Sequence, residues 1–82
     1  MSYKLNYTDE ARNQLKGLDK SVLIPILKKI VHLQENPLLG EPLSNVLKNK
    51  RRLHIGKYRV IYFIIGADVV VARVGHRKDV YE

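Results

Sequence analysis

Gly56-Lys57 lies between two runs that read as strands, Arg51–Ile55 and Tyr58–Ile65, and this dipeptide constrains the fold more than any other feature of the chain. A two-residue loop with glycine first suits a hairpin turn whose first central residue needs positive φ. A loop of that length sets the register. Ile55 pairs with Tyr58, His54 with Arg59, Leu53 with Val60 and Arg52 with Ile61. Directly paired residues share a face. One face therefore carries Leu53, Ile55, Tyr58, Val60, Tyr62 and Ile64, and the other carries Arg52, His54 and Arg59, with Ile61 and Phe63 further along. A slip of one residue would turn the three cationic or titratable groups inward. Burying them unpaired costs several kcal/mol each, so the charged face is expected to point away from the core.

The rest of the chain supplies what the apolar face needs. Tyr3-Lys4-Leu5-Asn6-Tyr7 alternates as a half-buried strand does. Thr8 can cap a helix that has Asp9 and Glu10 in its first turn, where negative charge suits the helix dipole. Ala11, Leu15 and Leu18 form its apolar stripe, and Gly17 marks its end. A second helix is expected from about Asp19 or Ser21 to Asn36, burying Leu23, Ile26, Leu27, Ile30 and Leu33 at helical spacing. Pro25 requires it either to start near Ser21 or to kink. Asn36-Pro37 ends it, and Pro37–Asn49 reads as a loop. Gly66-Ala67-Asp68 turns the chain into a last strand, Val69–Gly75, and His76–Glu82 reads as a tail. The expected order is β-α-α-β-β-β: one α+β domain over residues 1–82, with a helical hairpin covering one face of a four-stranded, mainly antiparallel sheet.

Charge says most about the partner. Fifteen Lys and Arg oppose eight Asp and Glu, a net charge of +7. Lys48, Lys50, Arg51, Arg52, Lys57 and Arg59 fall within twelve residues that contain no acid, as in a phosphate-binding footprint. Nucleic acid is the first candidate partner, an acidic protein the second and a membrane surface a weak third. No apolar run reaches the length of a membrane span. The absence of cysteine and of a signal-like apolar start leads to the expectation of a cytoplasmic protein. The acids are scattered without ligand spacing, so neither a metal nor another cofactor is expected.

Arg52, His54 and Arg59 converge by register. The segment Gly75-His76-Arg77-Lys78-Asp79-Val80-Tyr81 is the second place where chemistry could reside. A two-residue turn at Gly66-Ala67 puts His76 on the charged face, and a three-residue turn puts Arg77 there. Lys48, Lys50, Arg51, Lys57, His76 and Lys78 are expected to make general electrostatic contacts.

Arg52-Leu53-His54-Ile55-Gly56-Lys57-Tyr58-Arg59-Val60-Ile61-Tyr62, followed by Val69-Val70-Val71 and then Gly75-His76-Arg77 and Tyr81, resembles the RelE/ParE toxins, above all the RelE branch. Their pattern is a basic strand, a Gly turn, a Tyr-Arg strand ending in Tyr, an apolar strand, and a terminal basic pair followed by Tyr. The resemblance implies the same fold and an mRNA interferase that cuts messenger RNA in the ribosomal A site. It also implies a partner, an acidic RelB-like antitoxin. On that likeness Arg52 and His54 stand where the branch often carries two lysines. Arg59, Arg77 and Tyr81 match its arginines and its terminal tyrosine.

RNA carries its own nucleophile, the 2′-hydroxyl. A metal-free enzyme must deprotonate it and stabilise charge on the phosphate. Arginine suits the second task because its donor fork spans two phosphate oxygens. That role is expected of Arg59 and Arg77, with Arg52 assisting. His54, which can exchange a proton near neutral pH, or Tyr81, acidified by nearby cations, could take the 2′-hydroxyl proton. Tyr81 could instead stack on a base. No ordinary acid/base pair is evident, so activity is expected to depend on the ribosome for alignment. The competing readings are a ParE-like inhibitor of DNA gyrase and a nucleic-acid-binding module without chemistry. A single Phe and no Trp count against the latter.

Overall fold

The computed structural model describes residues 2–43 and 50–79. Its elements are β1 (Lys4–Tyr7), α1 (Asp9–Lys16), α2 (Lys20–Val31) with a 3₁₀ turn over His32–Gln34, β2 (Glu41–Pro42), β3 (Lys50–Ile55), β4 (Tyr58–Ile65) and β5 (Asp68–His76). They build a five-stranded sheet in the order β1-β5-β4-β3-β2, with β1 parallel to β5 and all other neighbours antiparallel. The expected four strands are thus joined by a fifth. Glu41–Pro42, inside the segment read as a loop, pairs with Arg52 and Arg51 at the edge of the sheet. A two-residue strand with proline in it has no periodicity to reveal it.

The β3–β4 hairpin has the register that its turn implied: Arg52↔Ile61, Leu53↔Val60, His54↔Arg59 and Ile55↔Tyr58. Gly56 and Gly66 both sit at positive φ, +60° and +56°, where a side chain would be strained. Leu53, Val60 and Tyr62 join Val69, Val71 and Val74 of β5 in one buried cluster with Ala11, Leu15, Ile26, Ile30 and Leu33 from the helical side. Ile55, Tyr58 and Ile64 pack around its margin. Burying one such aliphatic side chain stabilises by about 1.5–3 kcal/mol, so this cluster is the main force holding helices to sheet.

α1 starts where Thr8 places it, with the threonine hydroxyl accepting the Ala11 N–H at 3.1 Å. α2 begins at Lys20 and carries Pro25 in its interior on the exposed side. Proline donates no hydrogen bond to the carbonyl four residues before it, and Ser21, which carries that carbonyl, is an exposed residue.

One irregularity decides the far end of the sheet. Below Tyr62 the β4–β5 ladder runs Tyr62↔Val71 and Phe63↔Val70, but beyond it Ile61 pairs with Arg73 and Val60 with Val74. Ala72 is therefore the extra residue of a β-bulge, and every later side chain of β5 changes face. The bulge is anchored by Thr8, whose hydroxyl donates to the Ala72 carbonyl at 2.9 Å and whose N–H donates to the Val71 carbonyl at 3.0 Å. Beyond the end of β1, α1 covers the edge of β5. The Gln14 side-chain carbonyl accepts the Val74 N–H at 2.6 Å, and Glu10 meets Arg73 at 3.1 Å.

Candidate functional site

The face away from the helices is organised in rungs. Glu41, Arg52, Ile61 and Arg73 stand side by side across β2, β3, β4 and β5, and His54, Arg59 and Gly75 form the next rung. Lys50, opposite Phe63, extends the basic strand by one more step on this face. Ile61 is only 4% exposed although it faces away from the core. Arginines flank it in register on both sides, and long basic side chains cover apolar neighbours with their stems while their heads stay wet.

The charged face contains an acid that the sequence reading missed. One oxygen of the Glu41 carboxylate lies 3.4 Å from His54 Nε2 and 3.5 Å from Arg52 Nη2. All three side chains reach solvent, and Glu41 is the most exposed of them. A carboxylate–imidazole pair is therefore present where no acid/base pair was expected. The signal lay in Gly40-Glu41-Pro42, but only pairing with β3 brings Glu41 to His54. Gly40, Glu41, Arg52 and His54, with Lys29, Leu39 and Leu53, line a groove of about 230 Å³. Arg59 borders the same face, and its guanidinium donates to the carbonyls of Tyr58 at 3.1 Å and Gly56 at 3.3 Å.

The bulge decides the face of His76. The turn at Gly66-Ala67 has two residues, yet His76 pairs with Tyr58 and so lies on the helix side. There its ring meets Tyr58 edge-on, with centroids 5.5 Å apart, and Nδ1 accepts the Lys78 N–H at 3.2 Å. His76 is thus separated from the charged cluster and helps shape the turn. The Arg77 N–H donates to the Lys57 carbonyl at 2.7 Å, one rung beyond Gly75↔Arg59. Arg77 itself is exposed in the turn that follows β5. Arg73, in no candidate set, enters the cluster by the same shift.

The remaining basic residues divide. Lys57, Arg77 and Lys78 are exposed around the two turns at this end of the sheet. Arg51 pairs with Tyr62 on the helix side. Its guanidinium is committed to main-chain carbonyls: Nε and Nη2 donate to Gly40 at 3.0 and 2.7 Å, and Nη2 also to Leu38 at 3.2 Å. Lys48 and Tyr81 lie outside the described residues. Among the described residues, no three His, Asp or Glu gather as metal ligands would, and no helix is long and apolar enough to cross a membrane.

The structure is a helical hairpin on a mainly antiparallel sheet, with arginines on the open face. The family model of the ParE toxin of type II toxin–antitoxin systems matches residues 5–81. The chain belongs to the RelE/ParE superfamily of toxins of type II toxin–antitoxin systems. It is 33% identical to Toxin RelG of Mycobacterium tuberculosis, over 99% of this chain and 98% of that protein. The toxin–antitoxin complex RelBE2 of M. tuberculosis contains a chain that superposes with a TM-score of 0.83 at 31% identity, covering 94% of this chain and all of that one. The intact Escherichia coli RelBE complex contains one that gives 0.83 at 24% identity, covering 92% and 96%, which speaks for the fold.

Proposed function

We propose that this toxin inhibits translation by cutting messenger RNA on the ribosome, through attack of the RNA 2′-hydroxyl on its neighbouring phosphate. The observation that carries the reading is the Glu41–His54 pair beside Arg52 on one open face that also bears Arg59. In-line attack puts the entering and leaving oxygens on opposite sides of phosphorus. A carboxylate and an imidazole 3.4 Å apart cannot serve both ends while they touch. They work instead as a base and its orienting partner. His54 takes the 2′-hydroxyl proton, and Glu41 holds the ring and stabilises the imidazolium that forms. Arg59 and Arg77, assisted by Arg52, neutralise the charge that grows on the phosphate, a role worth about 10²–10³ in rate per donor by analogy with oxyanion holes. Tyr81 stacks on a base. The O2′–P bond forms, the P–O5′ bond breaks, and the 5′-oxygen takes a proton from water.

Lys50, Lys57 and Lys78 hold the RNA and ribosome by charge. The face is open, with a groove of only about 230 Å³, so alignment of the substrate falls to the ribosome. The neutralising partner is an acidic, RelB-like antitoxin, steered in by opposite charge and retained by apolar anchors. The activity is that of a cytoplasmic enzyme.

Toeprinting on translating ribosomes tests this reading. New cuts at A-site codons, with 2′,3′-cyclic phosphate and 5′-hydroxyl ends, are expected. Products with a 3′-hydroxyl and a 5′-phosphate would eliminate the mechanism. The match to the ParE family model favours one second reading, inhibition of DNA gyrase by binding. Loss of supercoiling activity with purified gyrase, together with intact ribosomal mRNA, would establish it instead.

A further inference from the structure

Glu41 occupies an unpromising position for a residue that must be held in place. It is exposed, and its strand has two residues, one of them a proline without an N–H. Among the described residues, the ladder support beyond the pair is the Leu43 N–H bond to the Lys50 carbonyl at 3.0 Å. So short an edge strand is marginal alone.

The chain just before it is gripped from the other side of the sheet. Tyr62, 0% exposed, donates its hydroxyl hydrogen to the Pro37 carbonyl at 2.7 Å and accepts the Gly40 N–H at 2.9 Å. Arg51, its neighbour across the ladder, holds the Gly40 and Leu38 carbonyls. A Cβ on Gly40 would lie 2.7 Å from the Arg52 carbonyl oxygen and 2.8 Å from the Tyr62 hydroxyl. The segment is therefore pressed against both strands at the residue before Glu41. Burial raises the Tyr62 pKa, against smaller opposite effects of the Gly40 N–H and of Arg51, so the phenol stays neutral and keeps its donor.

We infer that Tyr62 and Arg51 are positioning residues that hold the Glu41 carboxylate against His54 from the opposite face of the sheet. Neither presents its polar group to RNA. Each acts on the chemistry through the backbone of Pro37–Gly40. The inference rests on the proposed function only for its consequence in catalysis; the positioning itself is a property of the free toxin.

The test is Tyr62→Phe in the full-length toxin, alone and combined with Glu41→Gln. Two measurements are made: ribosome-dependent cleavage kinetics, and the ¹⁵N shift of the His54 imidazole. Small misplacements of catalytic groups cost on the order of 100-fold. Tyr62→Phe should lower kcat by about 10- to 100-fold, with KM changed less than about two-fold. In the Glu41→Gln background it should have almost no further effect. The imidazole signal should move in Glu41→Gln, move the same way in Tyr62→Phe, and move no further in the double variant. Arg51→Met should reproduce both results, and it decides the matter if Tyr62→Phe fails to fold. An undiminished effect of Tyr62→Phe on top of Glu41→Gln, or an unmoved imidazole signal in a folded variant, overturns the inference. If the wild-type toxin cuts no RNA, the catalytic reading fails, and the imidazole signal still decides the positioning.

Discussion

Replacing Thr8 with valine removes one oxygen atom and retains the volume and branching of the side chain. That oxygen does two jobs. It accepts the Ala11 N–H at the start of α1, and it donates to the Ala72 carbonyl in the bulge of β5. Loss of an N-cap costs about 1 kcal/mol. Leaving a partly buried carbonyl without its donor costs about another 1 kcal/mol. The backbone bond from the Thr8 N–H to the Val71 carbonyl survives the substitution. The expected loss is therefore about 2 kcal/mol, a large share of the ~5–15 kcal/mol that stabilises a domain. At ~4–8 °C per kcal/mol for a chain of this size, Tm should fall by about 8–16 °C. Thermal and urea denaturation followed by circular dichroism would measure it, with Thr8→Ser as the control that keeps the oxygen. A Thr8→Val protein within about 0.5 kcal/mol of wild type would show that the cap and the bulge anchor do not hold the structure as argued.

Arg59→Ala and Arg77→Ala should each abolish toxicity in growth assays while changing stability by less than about 1 kcal/mol, because neither side chain is part of the core. Glu41→Gln removes one acid, raising the net charge from +7 to +8. It should bind RNA at least as tightly in a salt titration yet cleave it about 100-fold more slowly, and full activity would remove Glu41 from the mechanism. Its stability should hardly change, since an ion pair this exposed contributes little. Burial raises the pKa of both Tyr7 and Tyr62 above 10.0 in the folded state. The stability that goes with the neutral phenols is thus complete below pH ~10 and is lost as pH climbs from there through the folded-state values. Tyr62→Phe should flatten that alkaline decline in urea titrations.

Where local chemistry specifies structure, the chain is readable residue by residue. Gly56-Lys57 sets the hairpin register, and the register alone places Leu53, Val60 and Tyr62 inward with Arg52, His54 and Arg59 outward. Thr8 with Asp9 and Glu10 starts α1 as a cap and an acidic first turn should. The stripe Ile26, Ile30 and Leu33 points to the core. Basic clustering and the terminal Arg77…Tyr81 pattern carry the family.

Other features exist only once distant segments meet. Glu41 becomes part of the charged face because β2 pairs with β3, and two residues hold too little pattern to foretell a strand. Arg51 belongs to a basic run by sequence, but a neighbouring loop captures its guanidinium. Ala72 looks like any other residue of an apolar strand. It becomes a bulge because Thr8 and α1 bind the edge of β5 there, and that one inserted residue sends His76 to the helices and brings Arg73 to the open face. Turn geometry and side-chain alternation act over a few residues and are written in the sequence. Strand edges, loop capture and bulges depend on which remote hydrogen-bond partners arrive, and only the tertiary structure decides that.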